Sequence, residues 1–364
     1  SYYVSQNLLG VAGLVRGGIA DERLQWEQVS KLNLGLDLAL FNERLQITAD
    51  VYSNKTSNMI VYEPGPAITG QEYVIKNSGA MKTNGWETAI TGLLVNQNKL
   101  KWQLGFNIAT YKTSVTELPA GSFITGYAGG NTITGVGNAP NVFYGYKTNG
   151  IFASDAAAAA SGLSTRNVNG SSTAFRGGDV IFSDNGDKVI DENDMQVIGN
   201  PNPDFFGGIN TKLTYANWTL DALATFSVGG DAYNYARRQL ESQSGYANQT
   251  EAVMHRWRTD GQQTDIPKAT WGDPMGNSRF SDRWIEDASY LRLKTISVSY
   301  KVPIKPTALK YIHIYATGNN LITFTKYLGY DPEFSAASGI YGQGVDTFLV
   351  PQYKYVQLGV RFGL

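Results

Sequence analysis

From Tyr353 to Leu364 polar and apolar residues alternate to the final position, and no charge enters the apolar set. Val356, Leu358, Val360, Phe362 and Leu364 share one parity, while Tyr355, Gln357, Gly359, Arg361 and Gly363 share the other. Successive side chains of a strand point to opposite faces, so a period of two makes a ribbon with one apolar and one polar side. Such a ribbon suits a strand set between lipid and a wet lumen. Turning it over would aim Arg361 at hydrocarbon, at a cost of about 2–4 kcal/mol at mid-bilayer depth, and each large aliphatic turned inward would lose roughly 1.5–3 kcal/mol of burial. The parity is therefore well determined.

Eight more segments carry the same alternation, each longer than the roughly five or six residues of a soluble strand. They are Gln28–Phe41, Arg44–Asn54, Trp86–Val95, Leu100–Tyr111, Phe205–Tyr215, Trp218–Val228, Tyr290–Val302 and Tyr311–Phe324. In Tyr290–Val302 the apolar parity changes from Leu291 and Leu293 to Ile296 and Val298, which predicts a bulge. The links alternate in length. Asn42–Glu43, Asn96–Asn98, Asn217 and Pro303–Lys310 are short, whereas Lys55–Asn77, Lys112–Asp204, Gly229–Ser289 and Thr325–Gln352 are long. In an up-and-down meander all the long links fall on one side, as in outer-membrane barrels with short periplasmic turns and long extracellular loops. Phe41, Trp102, Tyr215, Trp218, Tyr300 and Tyr311 lie near the short turns, where an interfacial girdle is expected.

Composition narrows the alternatives. Charged residues are 17% of the 364, below the roughly 25% of soluble domains, and the net charge of −1 gives no electrostatic reason to expect nucleic acid. With no cysteine there is neither a disulfide framework nor a thiolate metal site. No apolar run reaches the roughly 18 residues of a spanning helix, and the opening SYYVSQNLLG lacks a signal-peptide layout. A β-sandwich, for instance a soluble or surface-attached carbohydrate-binding β-module, also alternates, but with shorter strands and links that do not sort by length. Nine up-and-down strands cannot close antiparallel, and an open edge in lipid is costly. The expected fold is thus all-β, an antiparallel transmembrane β-barrel segment of about nine strands from a larger barrel.

Particular runs carry a resemblance. Leu24-Gln-Trp-Glu27 leading into Asn33-Leu-Gly-Leu-Asp37, Gly199-Asn-Pro-Asn-Pro-Asp-Phe205, and the stretch from Gly318 through Tyr330-Asp-Pro-Glu333 resemble the C-terminal barrel of SusC-like (RagA-like) TonB-dependent outer-membrane transporters. The resemblance covers essentially all of residues 1–364 as one barrel part, with the plug and the earlier strands absent. It implies a barrel of about 22 strands with a plugged lumen. It also implies a SusD-like surface lipoprotein partner, a TonB complex acting through the absent N-terminal part, and import of an oligosaccharide or peptide. Gln357, Gly359, Phe362 and Leu364 resemble the signal read by the barrel-assembly machinery, with Leu364 standing where an aromatic is common.

Two loops hold candidate site residues. In Ser183–Asp194, Asn185, Asp187, Asp191 and Asp194 take the third, fifth, ninth and twelfth places of an EF-hand-type loop, which suits Ca²⁺. Ser183 at the first place and Lys188 at the turn glycine depart from that pattern, and a solvated turn tied by its own Asx hydrogen bonds is the alternative. The long link after β-segment Trp218–Val228 carries Tyr233, Arg237, Trp257, Trp271 and Trp284, an aromatic and basic set suited to sugar stacking or carboxylate capture, or equally to the core of a folded loop. Ala252–Trp257 reads as part of a short helix and Ser154 as the cap of another. With only His255 and His313 and no cysteine, nucleophile–base arrangements have few members, and no enzyme activity is expected.

Overall fold

The computed structural model of the chain describes residues 3–8, 10–16, 19–20, 24–64, 73–304, 309–333 and 342–363. Nine long strands form one antiparallel meander in sequence order. They are β1 (Gln28–Leu40), β2 (Leu45–Pro64), β3 (Tyr73–Asn96), β4 (Leu100–Glu117), β5 (Phe205–Tyr215), β6 (Trp218–Val228), β7 (Tyr290–Val302), β8 (Tyr311–Thr325) and β9 (Tyr355–Gly363). Ile19–Ala20 adds a short parallel pairing to β3. Among the described residues β1 and β9 each pair along one side only within this path.

The register makes one face apolar from edge to edge. Leu38, Ile47, Ile90, Phe106, Ile209, Ala224, Leu293 and Ile322 are successive cross-strand partners, one from each of β1 to β8. Leu34 is 73% exposed and Leu358 79% exposed, so no second sheet among the described residues covers this face and the sandwich alternative does not apply. The charged residues Asp37, Asp50, Glu87, Lys101, Lys212, Asp221, Lys301 and Arg361 all have the other parity. Lys55, Lys82 and Lys112 share the apolar parity only where β2 to β4 run on beyond the aliphatic band.

The expected bulge is present. Register shifts between Leu293 and Thr295 leave Lys294 without a cross-strand register partner, so Leu291 and Leu293 before it and Ile296 and Val298 after it keep to one face. The girdle is mostly as expected: the Trp218 and Tyr300 rings lie 4.7 Å apart, and Trp102 Nε1 donates to Thr211 Oγ1 at 2.9 Å. Tyr311 is the exception. It pairs with Gly363 on the polar face, where a Cβ on that glycine would meet its ring.

The link expected over Lys55–Asn77 is corrected: β2 continues to Pro64 and β3 begins at Tyr73. Likewise β4 runs to Glu117 rather than ending at Tyr111. Backbone ladders persist there although outward positions no longer need to be apolar, so the periodicity fades before the strand does. A hairpin of Tyr3–Leu8 with Val11–Arg16 also lay outside the expected set.

The buried core belongs to the loops. Trp284, Tyr233, Phe143, Phe182, Ile190, Val180 and Val345 are the largest fully buried apolar side chains, and none lies in β1 to β9. One cluster joins Phe152, Leu163, Phe175, Val180, Phe182 and Ile190 with Met275. Another joins Phe143 with Tyr233, Phe280, Trp284 and Val345, residues from three different long loops. A three-stranded sheet of Ile285–Asp287, Asp231–Asn234 and Val345–Asp346 ties two of those loops together. The long links therefore pack into a cap at one end of the wall.

Candidate functional site

The five aromatic and basic candidates take four kinds of place in the cap. Tyr233 and Trp284 are each 1% exposed inside the second cluster, out of reach of any ligand in this conformation. Tyr233 OH donates to Ala128 O (3.0 Å), and burial raises its phenol above the ordinary range. Arg237 is occupied: its Nε pairs with Glu241 (3.1 Å), its Nη1 with Glu286 (2.7 Å), and its guanidinium lies over Trp284. Trp257 donates from Nε1 to Ala153 O (2.9 Å) and packs on Gly178, which is left-handed (φ +83°) and has no room for a Cβ. The short helix expected over Ala252–Trp257 is a 3-10 segment, Glu251–His255, that stops before the tryptophan, and its contacts with Ala153 and Gly178 make Trp257 a packing residue. The other expected helix, Asp155–Ser161, is capped by Ser154, whose side chain accepts from Ala157 N–H.

Trp271 alone of the five stands in solvent, 63% exposed. Its ring lies 4.4 Å from that of Tyr246, tilted by 58°, and Tyr246 is 93% exposed. Gly272 N–H donates to Ser244 O (2.9 Å), which fixes the two short segments side by side. Two large rings held together in water present apolar faces and a polar rim, the arrangement that stacks on a sugar face or a planar side chain. Tyr246 was missed from the sequence. The usable signal was an aromatic in Ser242–Asn248 with no large apolar neighbour to pack against.

The acidic loop uses its oxygens locally. Asp194, 4% exposed, accepts from Asn185 N (2.8 Å) and Asp191 N (2.8 Å) and closes a capping box. Asn185 Oδ1 accepts from Asp187 N, Asp187 Oδ1 from Val189 N, and Asp191 Oδ1 from Asn193 N. Asp191 Oδ2 meets Arg166 Nε at 3.0 Å, and the Asn193 N–H, with Arg166 after it, holds this carboxyl below its ordinary range. The oxygens turn to separate backbone donors instead of converging, and no group of three or more acidic or histidine side chains among the described residues is placed to hold a metal ion. As folded, Asn185, Asp187, Asp191 and Asp194 do not fit a Ca²⁺ cage.

Of the terminal set, Gln357 pairs with Thr317, Gly359 with Tyr315, and Phe362 is 62% exposed on the apolar face. Leu364 lies outside the described residues. His313 stands between Lys301 and Arg361 in one cross-strand row, and His255 lies in the 3-10 segment of the cap.

Residues 3–321 match the family described as TonB dependent receptor-like, beta-barrel. The chain belongs to that family. TonB-dependent receptor P3 of Formosa agariphila is 33% identical to it over 333 residues, covering 89% of this chain and 32% of that protein. TonB-dependent receptor SusC of Bacteroides thetaiotaomicron is 25% identical over 356 residues, 93% of this chain and 32% of its own length. A solved structure of the RagAB peptide transporter has the same fold, with TM-score 0.76 at 24% identity over 99% of this chain and 38% of that one. The chain spans about a third of the length of the curated relatives it matches. In a membrane β-barrel the uncovered aliphatic face suits the lipid side of the wall and the polar face the lumen side.

Proposed function

We propose that the chain is the C-terminal part of a larger SusC-like barrel that imports an oligosaccharide or a peptide through the outer membrane. The wall would be completed by strands outside this chain. Transport would be energised by the TonB complex through a part that precedes these strands, with a SusD-like surface lipoprotein seated on the long-loop side, which faces the outside of the cell. The observation that carries this reading is the uninterrupted, charge-free aliphatic face backed by a polar one, with a folded cap on one rim. Within the cap, Tyr246 and Trp271 are the proposed ligand contact, because they are paired rings that are both well over half exposed.

The test is uptake by cells carrying the full-length protein as their sole importer of the nutrient. Alanine at both Tyr246 and Trp271 is expected to lower uptake at limiting nutrient by about tenfold, the loss of roughly 1.4 kcal/mol of stacking, with outer-membrane abundance unchanged. Unchanged uptake would remove the pair from the site. Recovery of the full-length protein in the soluble fraction would overturn the transporter reading itself.

A further inference from the structure

The cap meets the wall through a small number of backbone crossings, one of which is Gly229-Gly230, both left-handed (φ +71° and +80°) directly after β6. Left-handed glycines at an element end are suited to absorb rotation. Across that crossing lies a buried ionic cluster. Arg292 of β7 is 3% exposed, and its Nη2 lies 2.5 Å from Asp331 Oδ1 while its Nη1 pairs with Glu333. Its Nε donates to Thr323 Oγ1 of β8 (3.0 Å). Lys294, the bulge residue, pairs with Glu333 (3.1 Å) and donates to Gln352 Oε1 (2.9 Å). Asp331 also accepts from the backbone N–H groups of Glu333 (3.0 Å) and Gln352 (3.3 Å). Both ends of the last long loop are thus fastened to one wall strand. This is the place taken by the Tyr-Asp-Pro-Glu run.

The same loop is part of the cap, tied to it by the parallel pairing of Val345–Asp346 with Tyr233–Asn234 and by Val345 in the second cluster, and it makes a further contact through Glu286. Leu328 N–H donates to Glu286 Oε2 (2.8 Å), and Glu286 Oε1 accepts from Arg237 Nη1 (2.7 Å) and Asn234 Nδ2 (3.2 Å). Arg237 sits in the helix Tyr235–Glu241, which leads to Ser244 and, through its carbonyl, to Gly272 beside Trp271.

We propose that Arg292, Lys294, Asp331 and Glu333 form a latch that sets the position of the loop cap on the barrel wall, and that Glu286 passes this position on to Arg237 and the cap beyond it. These are positioning residues, and only the consequence for uptake rests on the reading of Tyr246 and Trp271 as the contact. Without the latch the cap turns as a body about its backbone crossings and loses one fixed stance over the lumen.

Distances between spin labels in the full-length protein, made cysteine-free and placed in lipid nanodiscs, test this. Lys55→Cys marks the wall, Val350→Cys the last loop and Met254→Cys the cap, the last two being 69% and 60% exposed. Asp331→Asn is expected to widen both the 55–350 and the 55–254 distributions at least twofold. Glu286→Ala together with Val345→Gly, which removes the Glu286 contact and the Val345 side chain from the second cluster, is expected to widen 55–254 while 55–350 stays narrow. Should Asp331→Asn fail to assemble, Glu333→Gln at a more exposed position gives the same readout. Widening of 55–350 alone in the latch variants would overturn the relay, and no widening in either would overturn the latch. Neither result depends on what the aromatic pair binds.

Discussion

The phenol ring of Tyr315 lies across Gly359, its cross-strand partner in β9, so closely that a Cβ on that glycine would collide with the ring. Tyr52 covers Gly85 in the same way between β2 and β3, and Tyr311 covers Gly363. The lumen face is thereby filled next to the wall by aromatic rings seated on glycines, which pins register where polar side chains alone would leave it loose.

Gly359→Leu is therefore expected to destabilise the wall by about 1–3 kcal/mol through overpacking, and Tyr315→Ala in that variant should recover part of the loss. Urea unfolding of the full-length protein in lipid vesicles measures both. Equal midpoints for Gly359→Leu and the parent would show that the ring is not seated there.

Leu36 and Asp37 are neighbours in sequence and face opposite sides of the wall. Leu36→Arg should cost about 2–4 kcal/mol, the depth-dependent penalty for a cation at the lipid face, whereas Asp37→Ala should change stability by less than about 1 kcal/mol. The same unfolding experiment separates them, and equal costs would contradict the assigned faces.

In the acidic loop, Asp194→Ala leaves two backbone N–H groups without an acceptor and should destabilise the loop by about 1–2 kcal/mol. Protease cleavage between Ser183 and Gln196 reports it. Titration with Ca²⁺ to millimolar concentration should release no heat and leave cleavage unchanged, and protection by micromolar Ca²⁺ would show that these carboxylates reorganise around the ion.

Acid should open the same loop. The carboxyl of Asp191 is held below its unfolded value, chiefly by the Asn193 N–H and then by Arg166, so its contribution to stability is present above the unfolded carboxylate range and is lost as pH falls through the lowered folded value. Arg166→Gln removes one of those causes. The onset of cleavage on acidification should move to higher pH in that variant, and an unmoved onset would count against the pairing.

The wall was legible because each strand in lipid must repeat the same two-residue rule. Leu34, Trp102 and Leu220 could be assigned faces one strand at a time, and even the bulge at Lys294 announced itself as a break in parity. Beyond the aliphatic band the rule lapses, so the upper halves of β2 and β3 gave no periodic signal. The cap was opaque for a different reason. Tyr233 is buried by Phe143, Phe280 and Val345, partners far off in sequence, and nothing near it distinguishes a core ring from an exposed one. Spacing in Ser183–Asp194 matched a cation loop, but spacing does not say whether a carboxylate turns to an ion or to the next backbone N–H. Trp271 could be proposed for its residue type, whereas the isolation of Tyr246 among polar residues hinted at exposure but its pairing with Trp271 depended on two segments being brought together.

The wetting of the wall by lipid is tested most directly by nitroxide labels placed one at a time from Leu32 to Leu40 in the full-length protein in bilayers. Collision rates with oxygen, which concentrates in hydrocarbon, and with a water-soluble nickel chelate are then read at each position. Labels at Leu32, Leu34, Leu36, Leu38 and Leu40 should favour oxygen and those at Asn33, Gly35, Asp37 and Ala39 the chelate, alternating without a break. Access of the chelate to the leucine positions equal to that at their neighbours would contradict it.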